Sequence, residues 1–390
     1  MSIFAWLRER LFCQRKQNPP PARPESAPCS HAKTREPRTA DARTGVPGQE
    51  PGMAVPLHPL YPLQSFPEIL PNIPQTLGNL LRDQGDFEQA IQLRELILEY
   101  AGTDKSLKAL AYFEMGRDYR QAGFLDRAFG AFQEAKRLGH PESAVAEDMA
   151  RLFADSGDFA AAAELAAKLG NVAAHGYYLV KQAEELVAAG EDDAAMQLLR
   201  KALFFYPASP EARLALASMH LLNSDVKKSF KELESALAPG TGSGRLILLE
   251  GLYAFTQGAA APDISQDVLR DLALGLSDIL VGLNPGVTEC YYGGLFLQAV
   301  RKEREAEQWF TKALVLEPEF WAARLALLSL YAEREDLPPI LADQIAFFTK
   351  QGAQSKRFLC PPCGLRRDTV FSQCPLCRAW HSAQFRMRLT

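Results

Sequence analysis

Cys360-Pro361-Pro362-Cys363 and Cys374-Pro375-Leu376-Cys377 are the residues of this 390-residue chain whose types and spacing could do chemistry. Ten residues separate the two pairs, and the four cysteines fall within 18 positions. A Cys-x-x-Cys turn can aim two sulfurs at one point, and two such turns face to face supply the four-thiolate tetrahedral shell that suits zinc or iron. The spacer is shorter than the common zinc-ribbon range, so a compact knuckle-to-knuckle module is expected. A segment of about 35 residues buries too little apolar surface to fold alone, whereas a structural zinc supplies on the order of 10 kcal/mol of folding free energy. The expectation is one structural metal ion, zinc favoured over iron, on Cys360, Cys363, Cys374 and Cys377.

Other chemistries of the same residues fit less well. A thioredoxin-like redox centre needs a βαβ setting that does not surround this motif. Catalytic zinc needs an open coordination position, which four cysteines close. His381 is the one nearby histidine and is expected to stand exposed beyond the last ligand. Electron transfer by bound iron stays open as an alternative, since four cysteines serve either metal. Val370, Phe371 and Trp380 are expected to pack the module from short strands flanking the knuckles. Cys13, Cys29 and Cys290 lie far apart and no secretory signal precedes them, which points to a reducing cytosol rather than a disulfide framework.

The elements that must carry this module precede it. From about residue 76, alanine, leucine and acidic residues recur at helical spacing, and the pattern repeats. In residues 109–142, Tyr112, Met115, Gly116 and Tyr119 mark one helix, Gly123 the turn, and Ala128, Phe132 and Ala135 the next, with Pro141 closing the unit. The small residue early in each second helix recurs as Ala90, Ala128, Ala162, Ala195 and Ser229, then Ala306. The steps cluster at the tetratricopeptide period of about 34 residues, and the last gap leaves room for one degenerate unit within residues 240–285. Gly85, Gly123, Gly157 and Gly190 each precede their marker by five residues. Tyr112, Tyr119, Phe132, Trp309 and Phe310 read as packing between helices. Stacked pairs form a superhelix whose concave face is expected to hold a peptide or a folded partner. Arg213, Lys227, Lys228 and Arg245 read as a solvated face.

The organisation that follows is a short amphipathic segment (1–16), a Pro-rich disordered tether (17–75), a repeat array (76–352) and the four-cysteine domain (356–390). In the first segment Ile3, Phe4, Leu7 and Leu11 share one helical face, suited to peripheral membrane contact. Fourteen prolines between residues 19 and 74 exclude a helix or central strand from most of the second. The net charge of −4 hides an unevenness. Residues 1–50 carry nine basic against five acidic groups and residues 356–390 seven against one, which leaves the middle strongly acidic. An acidic body repels nucleic acid, so the basic ends are read first as contacts for the body itself. No apolar run reaches the 18 residues of a spanning helix.

The array followed by Arg357-Phe358-Leu359-Cys360-Pro361-Pro362-Cys363-Gly364 and Cys374-Pro375-Leu376-Cys377-Arg378-Ala379-Trp380 resembles the lipopolysaccharide assembly protein B family, over about residues 76–385. The resemblance implies an all-α tetratricopeptide superhelix with a C-terminal rubredoxin-like metal domain docked on it, with the same four cysteines as ligands. It implies a non-enzymatic cytoplasmic adaptor at the inner face of the inner membrane, whose partners are a membrane protease and the early deacetylase of lipid A synthesis. A general tetratricopeptide scaffold for another complex is the alternative. Family members begin with a transmembrane helix, whereas the start of this chain reads as an amphipathic stub. Pro362 removes a backbone donor beside the first thiolate pair.

Overall fold

The computed structural model describes residues 72–388, apart from 224, 239–243, 258–265, 333–337 and 354. The expectations for residues 1–16 and for most of the tether lie outside the described residues. The first helix starts at Asn72, so Pro74 falls in a first turn, where N–H groups have no intrahelical partner to lose.

Among the described residues, sixteen helices, this one included, are arranged in pairs. They are α1 (Asn72–Gln84) with α2 (Phe87–Tyr100), α3 (Lys105–Gln121) with α4 (Leu125–Arg137), and α5 (Glu142–Asp155) with α6 (Phe159–Lys168). Then come α7 (Val172–Ala188) with α8 (Asp192–Phe205), α9 (Pro210–Leu222) with α10 (Val226–Leu237), and α11 (Arg245–Thr256) with α12 (Gln266–Gly282). The last are α13 (Val287–Ala299) with α14 (Glu303–Leu316) and α15 (Trp321–Ala332) with α16 (Pro339–Ala353). The fold class is the expected one, a helical repeat array, and α11 with α12 fills the gap left for a degenerate unit.

Local chemistry explains the regularity. Gly85, Gly123, Gly157 and Gly190 sit at φ of 84–86°, where an L side chain would be strained. The residue after each donates its N–H to the carbonyl five positions back, closing the helix in the same way four times. Asp86, Asp158, Ser209 and Asp225 then cap the next helix through their side chains. The six marker residues, Ala90 to Ala306, are all fully buried. Sixteen residues after the small Gly116 and Gly294 come Phe132 and Phe310, and a Cβ on either glycine would fall 2.6 or 2.4 Å from the ring. Those contacts set how closely the paired helices approach.

The first pair breaks the pattern. Arg94 stands sixteen residues after Gly78, where the Gly116 and Gly294 units place a phenylalanine ring, and it is completely buried. Its guanidinium meets Asp118 at 3.3 Å and Gln75 at 2.6 Å, while Arg82 reaches Glu114 at 2.7 Å and Asp118 at 2.8 Å. A polar network closes this end of the array, and each of its charges has partners that offset the cost of burial.

After α16 the chain forms β1 (Phe358–Leu359), β2 (Arg366–Arg367) and β3 (Gln384–Phe385) in the antiparallel order β2-β1-β3. Phe358, Ala383 and Phe385 join the apolar cluster that runs through the repeats from Ala150. Module and array therefore share one core.

Candidate metal centre and its seat on the array

Two similar turns build the centre. In the first, β1 delivers Cys360, whose N–H donates to the Leu365 carbonyl at 2.8 Å, and the Gly364 N–H returns to the Cys360 carbonyl at 2.8 Å. In the second, the Cys374 N–H donates to the Ala379 carbonyl at 2.9 Å, and the Arg378 N–H returns to the Cys374 carbonyl at 2.9 Å. Gly364 and Arg378 occupy equivalent places with φ of 73° and 65°. The strands lie around the first turn and at the chain end, while a lone bridge between Gln373 and Trp380 frames the second. Val370 and Phe371 pack without lying in strands, which corrects their expected setting.

All four sulfurs lie within 4.8 Å of one another. Cys360 and Cys377 are 3.5 Å apart and Cys363 and Cys374 3.6 Å, too far for disulfides. Tetrahedral bonds of about 2.3 Å would separate the sulfurs by about 3.8 Å, so spacing and donor chemistry both suit a single zinc or iron ion. Cys360 and Cys374 are the buried pair, with Cys363 and Cys377 nearer the surface. Burial pushes the Cys360 thiol up to about 12. Burial would also raise Cys374, but N–H groups of Cys377 and Leu376 and the neighbouring thiols hold it down at about 7. Ser382 Oγ lies 3.2 Å from Cys360 Sγ, placed to orient that sulfur.

The second turn carries the residues that reach the array. Arg378 Nη1 meets Asp148 of α5 at 3.1 Å, and Trp380 packs against Tyr177 and Tyr178 of α7 with centroids 5.3 and 6.4 Å away. His381 is 4% exposed, which corrects the expectation that it faces solvent. Its Nε2 lies 3.0 Å from Glu211 Oε1 of α9 and its Nδ1 3.1 Å from the Tyr206 hydroxyl, with the two rings stacked. Burial would raise the Glu211 carboxyl, yet hydrogen bonds from His381 and Ser372 keep it below its ordinary value. Asp148 is likewise lowered, because Arg117, Arg378 and Arg151 together outweigh its burial.

Contacts continue along the array. Arg357 reaches Glu250 of α11 at 2.7 Å, and Glu250 also accepts from the Tyr292 hydroxyl of α13. Phe385 packs on Tyr291 and Phe320, the Trp321 indole N–H of α15 donates to the Arg386 carbonyl at 2.7 Å, and Arg388 pairs with Glu319. Every helix touched by these contacts is the first of its pair, from α5 to α15. The chain's own basic tail thus contacts one helix in each of six successive units. Arg213, Lys228 and Arg245, read as solvated, pair with Glu232, Asp225 and Glu289. Sequence reading missed Asp148, Glu211 and Glu250, and the one signal for them was the opposite charge of tail and body.

A tetratricopeptide-repeat model matches residues 178–219. Lipopolysaccharide assembly protein B of Escherichia coli (strain K12) is 23% identical over 335 aligned residues, which cover 78% of this chain and 78% of that protein. The chain is related to lipopolysaccharide assembly protein B. The protein of that name from Haemophilus influenzae is 26% identical over 172 residues, 42% of each chain. Among solved structures, a tetratricopeptide repeat protein from Parabacteroides merdae is 17% identical and covers 66% of this chain and 97% of its own, with a TM-score of 0.33. Among the described residues no helix is long and apolar enough to cross a membrane.

Proposed function

We propose that this chain is a non-enzymatic adaptor that regulates lipopolysaccharide synthesis, with residues 76–352 as its scaffold and residues 356–390 as a metal-organised domain locked onto it. Cys360, Cys363, Cys374 and Cys377 hold one zinc ion, which supplies the core that so short a domain lacks. Four thiolates leave no open position for a substrate, so the ion is structural. The observation that carries this reading is the four-sulfur cage seated across six repeats. The relatives' name supports the pathway. In this role the adaptor acts from the cytoplasm at the inner face of the inner membrane, and it presents the early lipid A deacetylase to a membrane protease so that deacetylase levels stay low.

A Cys360→Ala, Cys363→Ala variant expressed in place of the native chain tests this. Deacetylase abundance should rise several-fold, and the purified wild-type protein should contain one zinc per chain. Unchanged deacetylase in cells holding the metal-free variant removes the domain from the mechanism. A coloured, iron-loaded wild-type protein favours electron transfer instead.

A further inference from the structure

The last helix of the array carries an apolar face that none of the described residues covers. Ala342, Ile345, Thr349 and Gly352 of α16 are its less exposed residues, and a Cβ on Gly352 would fall 2.1 Å from Leu325 of α15. On the outward side of the helix Ile340 is 79% exposed, Leu341 47%, Phe347 55% and Phe348 58%. A terminal repeat ordinarily has a polar outer face, because no further unit stacks on it.

These four side chains have an order of their own. Ile340 and Leu341 lie four and three residues before Gln344, and Phe347 and Phe348 three and four after it. That spacing places them on one stripe of the helix, and the stripe reads the same in both directions. Laid antiparallel against a second copy about a two-fold axis at Gln344, Ile340 meets the partner's Phe348 and Leu341 meets the partner's Phe347. Such self-complementarity is what an isologous interface requires. The four side chains expose on the order of 500 Å² of apolar surface, so a pair would cover ~1,000 Å², the lower bound for a specific interface. Charge favours the same occupant. Asp343 and Lys350 are the charged residues of α16 and cancel, whereas an anionic membrane would call for a cationic rim.

We propose that α16 is a homodimerisation helix through which two copies of this chain join, antiparallel, about Gln344. The inference is independent of the metal centre. Sedimentation equilibrium of the full chain should show a monomer–dimer equilibrium in the micromolar range. Gln344→Lys and Gln344→Glu each place like charges on the axis and should weaken dimerisation by about tenfold or more, while an equal mixture of the two restores it. Circular dichroism and metal content, unchanged in both variants, show that they fold. The proposal is overturned by a wild-type monomer at every concentration, by two variants that dimerise as well as wild type, or by a monomer that instead floats with anionic vesicles through Phe347 and Phe348.

Discussion

The two Cys-x-x-Cys turns share a hydrogen-bond pattern and do different work. The first is enclosed by β1 and β2, ends in Gly364, and ties the module to itself. The second ends in Arg378, Trp380 and His381, all of which reach the repeats. Arg378 adopts the left-handed conformation that glycine takes in the first turn. An L residue there costs roughly 1–2 kcal/mol, and the ion pair with Asp148 offsets it. Both motifs thus supply sulfurs to the four-cysteine cluster, and the second also clamps it onto the repeats.

The largest effect should come from removing the second turn's sulfurs. Cys374→Ala with Cys377→Ala should abolish zinc binding and melt residues 357–388, a loss on the order of 10 kcal/mol of organising free energy. Elemental analysis and calorimetry check it, and a variant that keeps both its metal and its unfolding profile breaks the comparison. Next comes Glu211→Ala, which leaves His381 buried without its carboxylate. It should destabilise the docked module by about 1–3 kcal/mol, the cost of a buried hydrogen bond left unmade, while the metal content is unchanged, because no cysteine is touched.

Acid acts on the same seat. Glu211 and Asp148 both have lowered pKa values in the folded chain, so the stability they supply is present above the ordinary carboxylate range and lost as pH falls through their lowered values. Docking, followed by tryptophan fluorescence from Trp380, should hold between pH 5 and 8 and weaken only below about pH 4. The smallest effects sharpen the contrast between the turns. Gly364→Ala should cost about 1 kcal/mol of module stability from backbone strain alone. Arg378→Gly relieves that strain and gives up the Asp148 pair, so its net change should lie within about 1 kcal/mol of zero. Denaturant titration of both variants separates the cases.

The repeats were legible because small residues and turn glycines act locally. Ala128 must be small where two helices touch, and Gly123 must tolerate a positive φ, so each leaves a periodic mark. The convergence of the four cysteines was legible for the same reason, since two short Cys-x-x-Cys turns can each aim a pair of sulfurs at one point. What the sequence hid is long-range. His381 looked like a surface residue because its partner Glu211 lies 170 positions earlier, and no local pattern links them. Arg94 at a core position was equally hidden, because its burial depends on Asp118, Gln75 and Asn79 arriving from neighbouring helices. The charge contrast between tail and body pointed to their association and could not name the residues.

Hydrogen–deuterium exchange of the full chain, before and after zinc is stripped by a chelator, tests the clamp most directly. Protection should fall across residues 357–388 and along the first helices of the pairs from α5 to α15, while α1 and α2, held by the Arg82–Arg94–Asp118 network, stay unchanged. A chain that loses its metal with no change in exchange along α5, α7 and α9 would contradict the account.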